Sequence, residues 1–451
     1  MKSTSIAGKT IRVAAVIAAC AMMLGACGNP AASQDATDTS AAGYWPKPTA
    51  DLKGTQLTFW TSPQAKNIPT QVIKDFEKTT HAKINLVTIP EVYENNAQTK
   101  ITTGDVPDMA FWQPTRSMLA GFVAQNKLQK LDNAPFIKNY RKGMADSGGL
   151  YNKTRYAVMV SAPSTIGVYY NKDVFSQAGL TSVPDNWDEL VADAQKIKNA
   201  HVDGVQSPLF EMGGSQWGTQ WAVQAQLAEA TRAGFYTRLN KNEEKLTGRT
   251  FMTAIENYKK LFSEGLYNTD AGSAKDTEQE SALWSGKTGM IFGNASQFLA
   301  IAALANDNKQ AIDKKIGYFP ISSKGTITTL IPDGSSGIVA FRTGDSTKEA
   351  AARQFINFWM STDYKNFVQQ QNIVSALKTV STPATVPQAA IDASNSIANS
   401  VGSLQSEAIA NPDLYVNLAN MVNGTMTPEQ VAKTTQDQFA QVAKAQGAQG
   451  F

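Results

Sequence analysis

Apolar and polar positions alternate along "QLTFWT" (56–61), a β-rich stretch. The period then lengthens to that of a helix up to about Thr80 and shortens again over "KINLVTIP" (83–90). A second helical stretch runs to about Thr103, a third strand follows in "PDMAFW" (107–112), and "TRSMLAGFVAQNK" (115–127) is helical again. Strands alternating with helices require right-handed crossovers and predict a mostly parallel sheet. Such sheets receive ligands at the carboxyl ends of their strands. The first strand ends in Phe59, Trp60, Thr61 and Ser62, and the third in Phe111, Trp112 and Gln113. One rim thus receives two tryptophans and small polar groups.

Further along, "RYAVMVSAPS" (155–164) leads into "TIGVYYNKDVF". In "VPDNWDELVADAQKIK" (183–198), Asn186 is placed to cap a helix, with Glu189 three residues on as a capping box. "PLFEMGG" (208–214) reads as a strand and "WGTQWAVQAQLAEA" as a helix. "TFMTAIENYKKLFSEG" is an amphipathic helix stopped at Gly265. "ESALWSGKTGMIFGN" (280–294) turns a helix into a strand, "KIGYFPIS" and "SGIVAF" are strands, and "TKEAAARQFINFWMS" (347–361) is a periodic helix. From about Val386 the chain reads mainly helical.

The front end follows another pattern. Lys2, Lys9 and Arg12 precede an unbroken apolar run, Val13 to Leu24, and then Gly25 and Ala26. This is the layout of a secretory signal peptide, too short to span a bilayer as a stable helix. "LGAC" (24–27) resembles the bacterial lipobox, with Gly25 where Ala or Ser is commoner. The resemblance implies cleavage after residue 26 and a diacylglycerol on Cys27, while Cys20 leaves with the signal. Each buried methylene adds about 0.8 kcal/mol, and two acyl chains hold where one comes off. The mature chain then has no free thiol, which suits an exported protein without a disulfide. Residues 27–54, small, polar and proline-rich, read as a flexible tether; only "YWP" (44–46) pulls towards docking on the body.

About 400 residues remain, more than one core usually serves, so two lobes are expected. Loss of the three leader cations brings the 41 basic residues level with the 38 acidic ones. A net charge of zero gives no field to collect nucleic acid. No later run is long enough for a membrane span. His81 and His201, far apart in sequence, leave little for a metal or acid–base site and read as surface residues.

"SGKTG" (285–289) ends like a Walker A loop, but position 281 is Ser281 and the fragment precedes its strand rather than following one. The acids fall mostly in helix-surface patterns such as Asp188 with Glu189, and no Gly-x-Ser-x-Gly elbow is present. No catalytic, metal or cofactor set emerges. Of eight tryptophans, Trp359 lies in the apolar stripe of a helix and Trp187 packs under the helix it opens. Trp60, Trp112 and Trp217 are the candidates for stacking, with Trp221 the weakest. An indole face beside amides and hydroxyls suits a sugar ring, and each of these indoles could equally fill a core.

The chain resembles the extracellular solute-binding proteins of carbohydrate ABC transporters, family 1, the maltose-binding-like group. The resemblance is carried by "GDVPDMAFW" (104–112), "GVYYNKDVFSQAGL" (167–180), "PDNWDELVADAQKIK" (184–198), "ESALWSGKTGMIFGN", "IGYFPIS" (316–322) and "GIVAFRTGDSTKEAAARQFINFWMS" (337–361), in family order. It implies an α/β fold of two lobes, each a mostly parallel sheet flanked by helices, with strands crossing between them. Lobe one would comprise 55–163 plus 336–374, and lobe two 164–335 plus 375–451. "PDGSSG" (332–337) would serve as a hinge, with Asp333 and Ser335 at the ligand. By position in the family pattern, Trp112 would stack, Gln113 and Arg116 would meet hydroxyls, and Ser164, Asn294 and Tyr415 would face the cleft; Trp60, Ser62 and Trp217 join them from strand and loop position. Ala295 stands where the family often has tryptophan. The implied function is capture of a neutral oligosaccharide by a monomeric lipoprotein on the outer face of a cell membrane, and its delivery to permease subunits whose ATPase supplies the energy. The alternatives are a surface-anchored glycoside hydrolase, a carbohydrate adhesin, and a polyamine carrier, the last requiring several cleft carboxylates.

Overall fold

The computed structural model describes residues 44–451 apart from residue 91. The signal segment, Cys27 and the tether up to residue 43 lie outside the described residues. In chain order the strands are β1 (Gln56–Thr61), β2 (Lys83–Thr88), β3 (Met109–Phe111), β4 (Leu150–Tyr151), β5 (Thr154–Arg155), β6 (Ala157–Met159) and β7 (Ser164–Asn171). They continue as β8 (Ser207–Leu209), β9 (Thr288–Gly293), β10 (Ile316–Phe319), β11 (Thr328–Ile331), β12 (Gly337–Ala340) and β13 (Ser400–Gly402).

Two sheets organise two lobes. The first has the order β2-β1-β3-β12-β6. Its first three strands are parallel, as the strand–helix alternation predicts. β12 pairs antiparallel with both β3 and β6, so β6 runs with the first three strands and only β12 is reversed. The second sheet is built around β7, which pairs antiparallel with β9, β10 and β11. The outer pairs, β8 with β9 and β11 with β13, are parallel. In each sheet, as expected, all strands but one run the same way: β12 is the reversed strand of the first and β7 that of the second. Strands that cross between lobes, such as β7 and β12, enter a sheet without a crossover helix, so nothing imposes the parallel direction. The chain passes between sheets three times, at 160–163, at 332–336 and after Gln371.

Strand alternation divides the first lobe's core. Leu57, Phe59, Met109, Phe111 and Ile338 pack on one face, with helix 346–357. Trp60, Ala110, Trp112, Ala157 and Val339 pack on the other, against helices 93–102 and 116–124. Trp359 lies in the first of these clusters, and Trp187 stacks on Phe292 in the second lobe with planes 29° apart.

Local signals hold. The Asn186 side chain accepts from the Glu189 amide at 3.0 Å, opening helix 187–200, while Glu189 takes the Asp185 amide rather than the Asn186 amide that a capping box would use. Gly265, at φ 63°, follows the end of helix 249–263. His81 and His201 are exposed and close helices in the left-handed conformation.

The expected tether is shorter than residue 54. Trp45 donates to the Asp132 carbonyl at 3.1 Å and meets the Phe136 ring edge-on. Three buried side chains of helix 346–357 hold the backbone behind it: Arg353 Nε donates to the Tyr44 carbonyl, Asn357 to that of Pro46, and Gln354 to those of Pro48 and Ala50. The aromatic and proline residues of "YWPKP" thus form a strap on lobe one.

Candidate functional site

A trench lies between the two sheets, floored by the passages that join them. Its largest chamber, about 570 Å³, is lined by Ser62 and Lys66 beyond β1, Glu94 beyond β2, Ser164 of β7, Asn294 beyond β9, and Asp333. A second chamber of about 390 Å³ shares Ile331, Pro332 and Asp333 with it and adds Arg116, Asp146, Lys153 and Glu407. A third, about 340 Å³, continues past Asp146 and Glu407 to Arg232.

Hydrogen bonds fix several of these groups. Asn294 caps helix 295–304 by accepting from the Ser296 amide at 2.8 Å, and Ser164 Oγ accepts the Ala295 amide at 3.2 Å. Ser335 donates twice, from N and Oγ, to Asp333 Oδ1 at 2.9 Å. Gln113 Nε2 donates to Glu94 Oε1 at 2.8 Å. Among the described residues, Asp333 Oδ2, Glu94 Oε2 and Lys66 Nζ keep no protein hydrogen bond, so they remain open to a solute. Arg116 reaches Asn152 Oδ1 at 3.3 Å and sits over the Tyr151 ring. It belongs to the first lobe, and Glu407, on the short helix 404–407, belongs to the second. Burial raises the Glu407 carboxyl above its ordinary value, and the charge of Arg116 partly offsets this.

The trench gathers Ser62, expected from strand position, with Arg116, Ser164, Asn294, Asp333 and Ser335, expected from the resemblance, and Gln113 lies one bond behind Glu94. The tryptophans depart from expectation. Trp112 is fully buried: its indole donates to the Met118 carbonyl at 3.0 Å, and its ring lies 4.9 Å from that of Phe122. Trp60 is 3 % exposed in the same cluster, with Lys100 over its ring. The expected stacking faces are not available. Strand parity points both indoles at the sheet face under two helices, not past the strand end. Trp217 is half-buried, packed on the second lobe's core and edge-on to Trp221. Tyr415 is half-buried, and its carbonyl accepts from Thr219 Oγ1. Neither lines the three chambers.

Lys66, Tyr93, Glu94 and Glu407 were missed by the sequence reading. Glu94 follows the second strand, so the strand-end rule applied to that strand would have found it. Tyr93 lines the main chamber from within lobe one and donates to the Phe111 carbonyl at 2.6 Å; burial, then the charge of Glu94, lifts its hydroxyl far above the usual tyrosine range. Glu407 carries no local sequence signal. Charges, not indoles, mark the trench: the carboxylates Glu94, Asp146, Asp333 and Glu407 stand beside the cations Lys66, Arg116, Lys153 and Arg232. Among the described residues no group of three or more His, Cys, Asp or Glu could hold a metal ion. No described helix is long and apolar enough to cross a membrane.

Two α/β lobes, three connecting passages and a trench between them are the architecture of a two-lobed solute-binding protein. The chain belongs to the family described as bacterial extracellular solute-binding protein, whose profile matches residues 61–366. Among relatives, it is 24% identical over 371 residues to the diacetylchitobiose binding protein DasA of Streptomyces coelicolor, covering 79% of each chain. It is 23% identical over 361 residues to the lipoprotein LipO of Bacillus subtilis, covering 75% of this chain and 67% of that one. Among solved structures, the apo form of RafE from Streptococcus pneumoniae superposes with a TM-score of 0.70 at 21% identity, covering 88% of this chain and 99% of RafE. RafE has also been seen in complex with raffinose.

Proposed function

We propose that the protein captures a neutral oligosaccharide between its lobes and hands it to the permease subunits of an ABC importer, tethered to the outer face of the membrane through a lipid on Cys27. The observation that carries the reading is the balance of charge in the trench. Four carboxylates and four cations sum to no net charge along the trench, and each can bond hydroxyls. This balance also disfavours a polyamine. The chambers run on from one another and suit a solute of more than one ring. That DasA and RafE are named for or seen with oligosaccharides supports the class. Groups from both lobes line each chamber, so a solute gains contacts when the lobes approach, and closure follows from its preference for that state. A micromolar solute needs about 8 kcal/mol. Charge-assisted hydrogen bonds contribute about 1.5–3 kcal/mol each, so a few suffice without an indole platform. Anchoring is supported by the lipobox-like "LGAC" and by a relative named as a lipoprotein.

The test is calorimetric titration with raffinose, diacetylchitobiose, maltotriose and longer neutral saccharides, alongside putrescine and spermidine. Saturable binding of at least one neutral saccharide, with no reducing ends released, is expected. Binding of a polyamine with silence from all saccharides overturns the reading. For the anchor, Cys27→Ala should release the protein from cells into the medium.

A further inference from the structure

A separate cavity of about 220 Å³ lies beside the trench and meets it only at Lys66, Pro163, Ser296 and Asp333. Its walls are Phe298, Leu299 and Ala302 of helix 295–304, Ala390 and Ala393 of helix 388–396, and Tyr169 of β7. All three passages between the sheets border it: Ala162 and Pro163 from the first, Asp333 from the second, Ile373 and Val374 from the third. No other cavity described above touches all three.

Several polar groups around this space are satisfied by one another. Asn67 Nδ2 donates to Ser161 Oγ at 3.5 Å, Thr385 Oγ1 to Asn372 Oδ1 at 2.6 Å, and the Tyr318 hydroxyl to Thr165 Oγ1 at 3.3 Å. Lys66, Ser296 and Asp333 stand at the junction with the trench, and Asp307 and Ser394 also border the space; the rest of what faces inward is mainly hydrocarbon and ring. Phe298 stacks on Tyr169 with centroids 5.5 Å apart and planes at 20°. Leu299 stays 50 % exposed beside it. Ordered water needs about two to four polar partners, which the walls of Phe298, Leu299, Ala302, Ala390 and Ala393 do not offer, whereas an apolar cavity of about 150 Å³ takes up benzene or xenon. A sugar is excluded for a related reason: each hydroxyl buried without a partner costs about 1–3 kcal/mol.

We infer that this cavity is a second binding site, for a compact apolar molecule the size of one aromatic ring. Its occupant touches every covalent link between the lobes and meets the trench only at Lys66, Pro163, Ser296 and Asp333. The site stands whether or not the trench binds a saccharide.

The test uses benzene and the chain from residue 28 onward. Benzene is titrated while the methyl signals of Leu299, Val374 and Ala390 are followed by NMR, with thermal unfolding in parallel. Saturable shifts at these methyls and a rise in melting temperature are expected. Both should vanish in Ala390→Phe, whose ring fills the space from a half-buried helix position; Ala302→Leu serves in the same role should the first variant fail to fold. No saturable shift in the unaltered chain, shifts centred on the trench, or shifts that persist in a folded filled variant overturn the inference.

Discussion

Trp112 works by packing. Its ring meets Phe122 and Tyr93, and its indole N–H is spent on the Met118 carbonyl. Trp112→Ala is expected to cost about 3–5 kcal/mol, seen as a lower urea midpoint, while the folded fraction keeps its affinity for the solute. Glu94→Gln should do the opposite: an unchanged midpoint and an affinity for the captured saccharide at least about tenfold lower, a difference of about 1.4 kcal/mol. Glu211 gives a pH effect. Burial lifts its carboxyl to about 7, against the bonds from the Tyr258 hydroxyl and the Met212 amide. The unfolded carboxyl ionises near 4.5, so between 4.5 and about 7 the folded chain holds a proton that the unfolded chain has lost. Stability is full below that window and falls as pH rises through it, by on the order of 3 kcal/mol. Glu280, raised to about 7 by burial and by Asp276, acts in the same direction. Melting at pH 5 and pH 8 should show a smaller loss in Glu211→Gln and the smallest in the double glutamine variant. Residue types at the strand ends were legible in the sequence; which sheet face the helices cover was not. Trp60 and Trp112 share a parity that places them on one sheet face, and two helices cover that face.

At the scale of elements, β7 and β10 pack so closely that glycine is required. A Cβ on Gly167 would lie 2.3 Å from the Tyr318 ring, and one on Gly317 would lie 2.2 Å from that of Tyr170. Gly167→Ala should therefore destabilise the second lobe by about 1–3 kcal/mol through overpacking, measurable by denaturant melts. The strap over 44–50 is equally local. A chain starting at residue 55 leaves Arg353, Gln354 and Asn357 buried without their carbonyl partners, at about 1–3 kcal/mol each, and should melt well below one starting at residue 43. Periodicity and caps made helix 187–200 and strands β1 to β3 readable in advance. The direction of β7 and β12 was not readable, because it depends on which sheet the chain has just left. The strap escaped because "YWPKP" has the composition of a linker, and its partners lie some three hundred residues away.

At the scale of the molecule, the two-lobed plan was accessible from the order of motifs, whereas the trench's chemistry depended on residues from distant segments. Glu407 and Arg116 come from opposite lobes, and no local window links them. Adding a saturating saccharide should reduce the radius of gyration in small-angle scattering as the lobes close, and an unchanged radius with bound sugar would count against closure. The strap has a mechanical corollary. Anything carried ahead of Tyr44 hangs on the half that contains β1, so a load at the leading end bypasses the three links. The β7 half is then the free arm, able to swing while such a load holds its partner.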